Sequence, residues 1–413
     1  MTPFEPLELP NGSVLQNRIA KAAMEENMAD AAHGPSAALM QLYRAWAEGG
    51  AGLILTGNVM IDRRAMTGPG GVVLEDESNF AAFRDWARIG QAKGAQMWLQ
   101  LNHPGRQAMK NMGQETLAPS AVALDLGKYS KMFAAPRAMT EQDIREVIAR
   151  FAHAAVIAEK AGFAGVQIHA AHGYLISQFL SPLTNRRQDR WGGALANRAM
   201  LLLETVRAVR SAVSPKLAVA VKLNSADFQR GGFDADDAKR VVEMLNELPV
   251  DLVELSGGSY EAPAMQGSAR DGRTLAREAY FLEFARDIAV VAKMPVMVTG
   301  GVRRLGVVQQ IVESGVAMAG IGTALAIRPD LPNLWKAGGD PRPELPPIRW
   351  NNKALVSLAN MAVVKYQLRR LGRGVPAAAA VSPLKALLVQ QLKTARQTRK
   401  YRRWMARSGA LTS

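Results

Sequence analysis

The sequence predicts an α/β fold of the (β/α)8 barrel type, and two observations support that prediction. Eight short, β-rich apolar runs recur along the 413 residues, each separated from the next by a segment with helical periodicity. Chemically active side chains collect at the carboxyl ends of these runs, which is where such barrels build their sites. A doubly wound open sheet is the weaker alternative.

The eight predicted strands span roughly 320 residues, a length typical of a barrel. They begin, in chain order, at Arg18, Leu53, Ala95, Gly165, Leu217, Asp251, Pro295 and Met318. The clearest helix between them, "TEQDIREVIARFAHAAVIAEKAG", starts with a Thr cap and ends at Gly. Before the first strand, "FEPLELPNGSVLQNR" predicts a hairpin with an Asn-Gly turn, which we expect to close the opposite end of the barrel.

The chain divides into two predicted regions of very different charge. Residues 1–335 form the barrel, and residues 336–413 form a Pro-rich connector and a basic helical tail packed on or near it. From Arg349 onward there are 14 Lys and Arg and no Asp or Glu, which leaves 51 − 14 = 37 basic against 36 acidic residues before it. The net charge of +15 therefore lies almost entirely in the tail. We expect a solvated helix, or one that covers the barrel or a partner subunit, with binding to phosphates or anionic lipid as the alternative.

Composition excludes several classes of protein and site. The absence of cysteine excludes disulfides, thiolate nucleophiles and Cys-ligated zinc or iron–sulfur sites. The apolar runs are well short of the roughly 20 residues that a membrane span needs, and the N-terminus lacks the pattern of a signal peptide. We therefore expect a cytoplasmic protein with no membrane span and no nucleic-acid partner, and we leave assembly into a homo-oligomer open.

Three of the five histidines lie at predicted strand ends, and two of them stand in the motif "HAAHGY" with Tyr174. His169 and His172 fit three interpretations: structural histidines, a metal site, or donors that hold one substrate oxygen beside a phenol that can give up a proton. A zinc site would need a further ligand such as a carboxylate or a third histidine, and no Asp or Glu flanks the motif. The other side chains at strand ends include Met24, Gly57, Gln100, His103, Lys222, Asn224 and Ser256.

Glycines at the last two strand ends indicate a phosphate site. "TGGV" and "GIGTAL" place backbone N–H groups where many barrels bind phosphate. Gln100 can pair with both donor and acceptor edges of a planar ring, and Lys222 adds a positive charge. Together these features suggest a flat phosphorylated cofactor, and FMN fits that description.

These motifs resemble the old yellow enzyme family of FMN-dependent ene-reductases. "HAAHGYLISQFLSPLTNRRQDRWGG" is similar to the signature of that family over its whole length, and "NRIAKAAM", "QLNHPGRQ", "VKLN" and "TGGVRR" occur in family order. The resemblance implies a TIM barrel with tightly bound, non-covalent FMN and no metal, NAD(P)H as reductant and an activated alkene as substrate. The cofactor-binding residues that it implies are Ala22, Ala23, Met24, Glu25, Gly57, Gln100, Lys222, Gly300, Gly301, Gly322 and Thr323.

The same resemblance implies a division of labour in the motif. His169 and His172 bind the carbonyl or nitro oxygen of an α,β-unsaturated substrate, hydride passes from flavin N5 to the β-carbon, and Tyr174 gives a proton to the α-carbon. The competing functions are a metal-dependent hydrolase that uses His103, His169 and His172, and anionic-surface binding through the basic tail.

Three residues depart from the family pattern. Lys222 stands where members usually carry Arg, and Thr323 where they commonly carry Arg. Glu25 occupies the position from which Thr or Cys often contacts a flavin carbonyl. Its carboxylate either faces the ring and alters its reduction potential, or turns away and pairs with a cation.

Overall fold

Eight parallel strands close into a barrel in the computed structural model, which describes residues 1–264, 278, 279 and 281–407. Each strand pairs with the next in the chain, and the last pairs with the first, so the sheet has no edge. The predicted (β/α)8 barrel is confirmed and the open sheet is excluded. In chain order, strands β1 to β8 are Ile19–Lys21, Leu53–Leu55, Gln96–Asn102, Gly165–Ala170, Ala218–Asn224, Leu252–Ser256, Val296–Thr299 and Met318–Ile321.

Helices surround the barrel and continue beyond its last strand. The predicted Thr cap is present on α3, where Thr140 accepts from the backbone of Asp143 and the Asp143 carboxylate accepts from the backbone of Thr140. In chain order, helices α1 to α12 are Ala37–Ala47, Phe80–Gly90, Glu141–Lys160, Leu175–Leu180, Leu195–Ala212, Ala235–Leu245, Leu282–Val291, Leu305–Glu313, Thr323–Ile327, Leu331–Lys336, Lys353–Leu371 and Pro383–Arg407.

Short elements fill the segments at the carboxyl ends of β2 and β3. Two pairs of residues after β2 extend the sheet beside the end of β3. The segment between β3 and α3 contains two 3-10 turns and a small strand pair. These elements are Val59–Met60, Val72–Val73, Lys110–Met112, Leu117–Ala118, Gly127–Met132 and Arg137–Ala138.

The predicted N-terminal hairpin is present and closes the amino end of the barrel. Leu7–Glu8 pairs in antiparallel fashion with Val14–Leu15, and Gly12 in the turn has a φ of 79°, which favours glycine. Leucines of the hairpin pack in one apolar cluster with residues at the start of β2, β5, β6 and β8. The hairpin does not cover the opposite end of the barrel, where the carboxyl ends of the strands lie.

Helices α11 and α12 lie against the barrel and also share a small apolar cluster of their own. Helix α11 packs against α1, α9 and α12. Near the end of α12, the Tyr401 hydroxyl donates to the Arg63 carbonyl at 2.8 Å, and the Trp404 ring stacks on His33 at 4.4 Å. The end of α12 therefore covers segments that follow β1 and β2. None of the described helices is long and apolar enough to cross a membrane, and residues 408–413 of the predicted tail lie outside the described part of the chain.

Candidate active site

His169 is a buried histidine at the end of β4 with a defined tautomer. The backbone N–H of Ala171 donates to its Nδ1 at 3.1 Å. A nitrogen that accepts carries no proton, so the proton of the neutral ring is on Nε2. His169 therefore presents one N–H donor.

His172 is held by contacts from two neighbouring strands. Its φ of 61° lies in the left-handed region, which is uncommon for residues other than glycine. Its backbone N–H donates to the Asn224 side chain at 3.0 Å, and its Nε2 is hydrogen-bonded to the Ser256 hydroxyl at 2.8 Å. The ends of β5 and β6 therefore fix both the backbone and the ring of this residue.

Tyr174 completes the predicted cluster. Its ring lies 4.8 Å from that of His169, which in turn lies 5.0 Å from that of His172, and both pairs are close to perpendicular. The Tyr174 hydroxyl accepts from Asn58 and is hydrogen-bonded to the Tyr260 hydroxyl, each at 3.3 Å. The structure thus brings together all three residues of the motif.

Burial sets the protonation state of these three side chains. Removal of the rings from water lowers the pKa of His169 and of His172 well below the usual histidine range, and Lys222 lowers both further. Burial raises the pKa of the Tyr174 hydroxyl well above 10, and Tyr260 and Glu25 raise it further. At neutral pH the site therefore holds two neutral imidazoles and a phenol that keeps its proton.

A chain of buried polar side chains crosses the barrel interior below the motif. Gln100 donates to Gln167 at 2.6 Å, and Gln167 donates to Glu254 at 2.8 Å. Glu254 also accepts from Lys222 at 2.7 Å and from Thr299 at 2.7 Å. Lys222 is therefore one half of a buried ion pair whose other half, Glu254, was not predicted.

Glu25 is oriented by a cation from the C-terminal helices. Lys365 of α11 donates to Glu25 Oε2 at 2.9 Å, and the Thr67 hydroxyl donates to Oε1 at 2.6 Å. Burial opposes ionisation, yet Lys365 and Thr67 hold the pKa of the Glu25 carboxyl below its usual value. Of the two orientations expected for this carboxylate, the one paired with a cation is present.

The backbone N–H of Gly57 takes part in a second network of buried hydrogen bonds. Its N–H donates to the Tyr43 hydroxyl at 3.0 Å and lies 3.3 Å from Glu26 Oε1. A Cβ at this position would lie 2.1 Å from Glu26 and 2.2 Å from the Met24 carbonyl oxygen, so only glycine fits. Burial lowers the pKa of the neighbouring Lys21 to about 8 although Glu26 opposes the shift.

The predicted phosphate-binding glycines lie at the ends of β7 and β8. Gly301 is exposed with a φ of 71°. Thr323 is exposed at the start of α9, and the side chain of Met24 approaches the position of a Cβ on Gly322 to 3.9 Å. Gly300 is buried beside Gly301. Met24 and Gly322 therefore bring the ends of β1 and β8 together, as do Ala22 and Ile321 through a backbone hydrogen bond of 3.0 Å.

His103 does not join the other two strand-end histidines in a metal site. Its Nδ1 accepts from the backbone N–H of Gly105 at 3.1 Å, and burial lowers its pKa to about 4. Within residues 1–264, 278, 279 and 281–407, no three histidine or acidic side chains are grouped so that they could hold a metal ion. The hydrolase alternative therefore gains no support from the described residues.

The sequence matches a family described as "NADH:flavin oxidoreductase / NADH oxidase family" over residues 3–339. The chain belongs to this family. The NADH-dependent flavin oxidoreductase nadA of Aspergillus parasiticus is 39% identical over 300 residues, covering 70% of this chain and 68% of that protein. The NADH-dependent flavin oxidoreductase iliE of Neonectria sp. (strain DH2) is 36% identical to this chain over 353 residues. The match covers 79% of this chain but only 46% of that protein.

Solved structures share the barrel fold of this chain. An old yellow enzyme homologue from Zymomonas mobilis has a TM-score of 0.71 and 26% identity, covering 83% of this chain and 94% of its own. Morphinone reductase in complex with tetrahydroNAD has the same fold, with a TM-score of 0.70 at 24% identity and coverage of 84% and 93%. The resemblance to the old yellow enzyme family is confirmed, and family membership makes the chain a flavin-type oxidoreductase.

The residues at the barrel mouth fit a planar, polar cofactor. Asn102 ends β3, two residues beyond Gln100 and so on the same face of the strand. It is fully buried, yet neither atom of its side-chain amide has a partner among the described residues. A buried amide without partners indicates a polar group that the polypeptide does not supply. Asn102, Lys222 and the backbone N–H groups of the glycines that follow β7 and β8 are hydrogen-bond donors of the kind that a phosphorylated flavin such as FMN uses.

Several members of the cluster were missed from the sequence. Gln167 and Glu254 could have been recognised from the sequence, because each is a polar residue inside an otherwise apolar strand. Asn58 directly follows Gly57 and belongs to the same strand end. Tyr260 and Lys365 lie in a loop and a distant helix and carry no local signal.

Proposed function

We propose that the chain is an FMN-dependent ene-reductase, which reduces the C=C bond of α,β-unsaturated carbonyl or nitro compounds at the expense of NADH or NADPH. The observation that supports this proposal is the convergence of His169, His172 and Tyr174 at one barrel mouth, with two neutral imidazoles beside a protonated phenol. Four relatives are named NADH-dependent flavin oxidoreductases, and another is named NADPH dehydrogenase. We further propose a cytoplasmic location, as expected from the sequence.

FMN would be held by the residues at the strand ends. Gln100, Lys222 and the residues 22–25 that follow β1 would border its ring, and Gly300, Gly301, Gly322 and Thr323 would bind its phosphate. Because the Gly57 N–H is already bonded to Tyr43, this residue would contribute shape rather than a donor. The chemistry that FMN supplies when bound is acceptance of hydride from NAD(P)H and its delivery to an alkene carbon.

The imidazoles would bind the substrate oxygen. The Nε2–H of His169 is the donor left after its Nδ1 accepts from Ala171. A neutral donor in a site removed from water stabilises negative charge that develops on the oxygen, without the cost of reorganising solvent. His172 would stand beside it, held in place by Asn224 and Ser256. Withdrawal of electron density towards this oxygen makes the β-carbon electrophilic.

Tyr174 would supply the proton that balances the hydride. Its hydroxyl keeps its proton at neutral pH because burial raises its pKa, and a carbanion at the α-carbon is a stronger base than the phenolate. Asn58 and Tyr260 fix the position of this hydroxyl. The sum of the two transfers is addition of one H⁻ and one H⁺ across the double bond.

The test begins with the purified protein. Denaturation should release stoichiometric FMN, anaerobic NADH or NADPH should bleach the flavin spectrum, and 2-cyclohexenone or a nitroalkene should restore it. Cyclohexanone, which lacks the double bond, is the matched control and should not restore the colour. If reduced protein is reoxidised no faster by the enone than by cyclohexanone, the proposal is wrong, and a colourless protein with stoichiometric zinc would favour the hydrolase.

A further inference from the structure

An outward-facing stripe runs along α12. Leu384, Leu388 and Leu392 are 64%, 66% and 63% exposed and occur four residues apart, so they lie on one side of the helix. Helical geometry places Arg399 and Arg402 on the same side, further along. The stripe therefore consists of three leucines followed by arginines, all directed away from the barrel.

The opposite side of α12 is the one that packs. Its buried residues are Ala386, Thr398, Tyr401 and Met405. Because these contacts fix the rotation of the helix, the leucines cannot turn inward without breaking them. Exposure of the stripe is thus a property of the packed helix.

Exposed apolar side chains are concentrated in this region of the molecule. Of eleven large apolar side chains that are exposed in the described part of the chain, seven lie between residues 355 and 392. Single exposed leucines are common on protein surfaces, but the three on one side of α12 form a continuous apolar stripe, and such patches mark interaction surfaces. The members of this set are Leu355, Leu358, Met361, Val375, Leu384, Leu388 and Leu392.

Charge identifies the partner of this surface as anionic. No Asp or Glu occurs from Arg349 onward, and within the described residues no carboxylate pairs with a cation of α12. Lys385, Arg396, Arg399, Arg402 and Arg403 are all exposed. The sequence from Arg349 onward therefore contains no carboxylate side chain that could neutralise these cations.

We propose that the outward stripe of α12 docks on an anionic lipid bilayer, with the leucines entering the headgroup–acyl boundary and the arginines contacting lipid phosphates. Leucine and arginine on one side of a helix are the features of interfacial binding. The 25 residues form a line about 37 Å long, which a flat surface can follow from end to end. This binding is independent of the proposed reductase activity.

Other partners use only part of the stripe. A nucleic acid would engage the arginines but would gain nothing from three exposed leucines. A second copy in antiparallel alignment would bury arginines against leucines, and in parallel alignment would bring arginines together, so both cost free energy. A bilayer uses both halves at once.

The experiment is co-sedimentation of the full chain with vesicles. Vesicles of mixed phosphatidylglycerol and phosphatidylcholine should retain the protein at low salt, and pure phosphatidylcholine should not. Retention should fall as salt is raised, because counterions screen the arginines. Absence of retention on the anionic vesicles at low salt overturns the proposal.

Two triple variants separate the halves of the stripe. L384S/L388S/L392S removes the leucines, and R399Q/R402Q/R403Q removes three cations. The second should weaken partitioning on the order of 100-fold, about fivefold for each arginine. The control R84Q/K239Q/R240Q removes the same net charge from exposed positions on the barrel and should change partitioning by less than about threefold. Equal losses in the arginine variant and in the control, with no loss in the leucine variant, would show attraction by net charge alone and would reject the stripe.

Two further outcomes assign the stripe to another partner. If light scattering shows an oligomer that L384S/L388S/L392S dissociates, the stripe is a contact between copies of the chain. If soluble polyglutamate binds in a leucine-dependent manner while anionic vesicles do not, the partner is an acidic protein. Either result excludes the lipid proposal, whereas flavin content and enone reduction should be unchanged in every variant.

Discussion

Lys365 Nζ lies 2.9 Å from Glu25 Oε2, so that a side chain of α11 neutralises a carboxylate at the end of β1. The pair is partly exposed, at 16% for Lys365 and 26% for Glu25. The field of Glu25 also contributes to the raised pKa of the Tyr174 hydroxyl. The extension after the barrel thus takes part in the electrostatics of the mouth.

Breaking this ion pair should change the reduction potential of bound flavin in opposite directions. E25Q leaves the Lys365 cation unbalanced, which stabilises a reduced, negatively charged flavin and raises the potential. K365M leaves the Glu25 carboxylate unbalanced and lowers it. Each shift should be on the order of tens of millivolts, and the E25Q/K365M double variant should return close to the wild-type value. Spectroelectrochemical titration measures all four proteins, and four equal potentials would place Glu25 out of electrostatic reach of the flavin.

Replacing the proton donor should separate the two halves of the reaction. Tyr174→Phe should slow reoxidation by 2-cyclohexenone by roughly 100-fold or more, because a general acid typically contributes that much. Reduction by NADH should be nearly unchanged. Tyr260→Phe is the matched control, since its hydroxyl touches that of Tyr174 without being the donor, and it should slow reoxidation less. Stopped-flow absorbance records both half-reactions, and equal effects of the two variants would argue against Tyr174 as the acid.

The buried His103 should make the fold sensitive to acid. Its pKa is lowered to about 4 in the folded chain, whereas the unfolded chain has the ordinary value of 6.5. The unfolded state therefore binds more protons below pH 6.5, and stability is lost as the pH falls towards 4. Between pH 7 and pH 5 this residue should account for about 2 kcal/mol of the lost free energy of unfolding.

His103→Asn provides the comparison. The Asn side-chain oxygen can still accept from the Gly105 N–H but does not titrate. Urea unfolding at pH 7 and pH 5 should therefore show a smaller loss of stability in the variant. An identical loss in both proteins would assign the acid sensitivity to other groups.

The Lys222–Glu254 pair should be costly to break from one side. Both side chains are almost fully buried, at 3% and 0% exposure, so removal of one partner leaves an uncompensated charge. Lys222→Met or Glu254→Gln should each lower the free energy of unfolding by about 3–5 kcal/mol. The double variant should lose less than the sum of the two, as measured by urea denaturation. Strict additivity would mean that the two charges do not depend on each other.

Much of the barrel could be predicted from local patterns. All eight strands were located because buried parallel strands are short apolar runs, and barrel closure brings their carboxyl ends together wherever they lie in the chain. For that reason the sequence could predict that His169, His172, Tyr174 and Lys222 lie near one another, and their rings and charges do so in the structure. The N-terminal hairpin and the cap of α3 could also be predicted, because an Asn-Gly turn and a Thr cap are each visible within a few residues of sequence.

Contacts between distant segments could not be predicted in this way. Nothing in the sequence around Lys365 distinguishes it from the other cations of the extension, and its partner Glu25 is 340 residues away. Glu254 was visible as a charge in an apolar strand, but its pairing with Lys222 depends on strand register. The orientation of Glu25 could not be predicted either, because it depends on its contact with the distant Lys365.

The meeting of the two ends of the chain at the mouth constrains the order of biosynthesis. Glu25 and Lys365, Arg63 and Tyr401, and Asn27 and Gln397 are partners separated by 340, 338 and 370 residues. At roughly 5–20 residues per second, a ribosome needs about 20 s to somewhat more than a minute between emergence of the first and second members of each pair. Until the end of α12 has been made, the segment that follows β1 presents the His33 ring without its Trp404 cover. A newly made chain should therefore be most open to proteases and chaperones at the end of the barrel that carries His169, His172 and Tyr174.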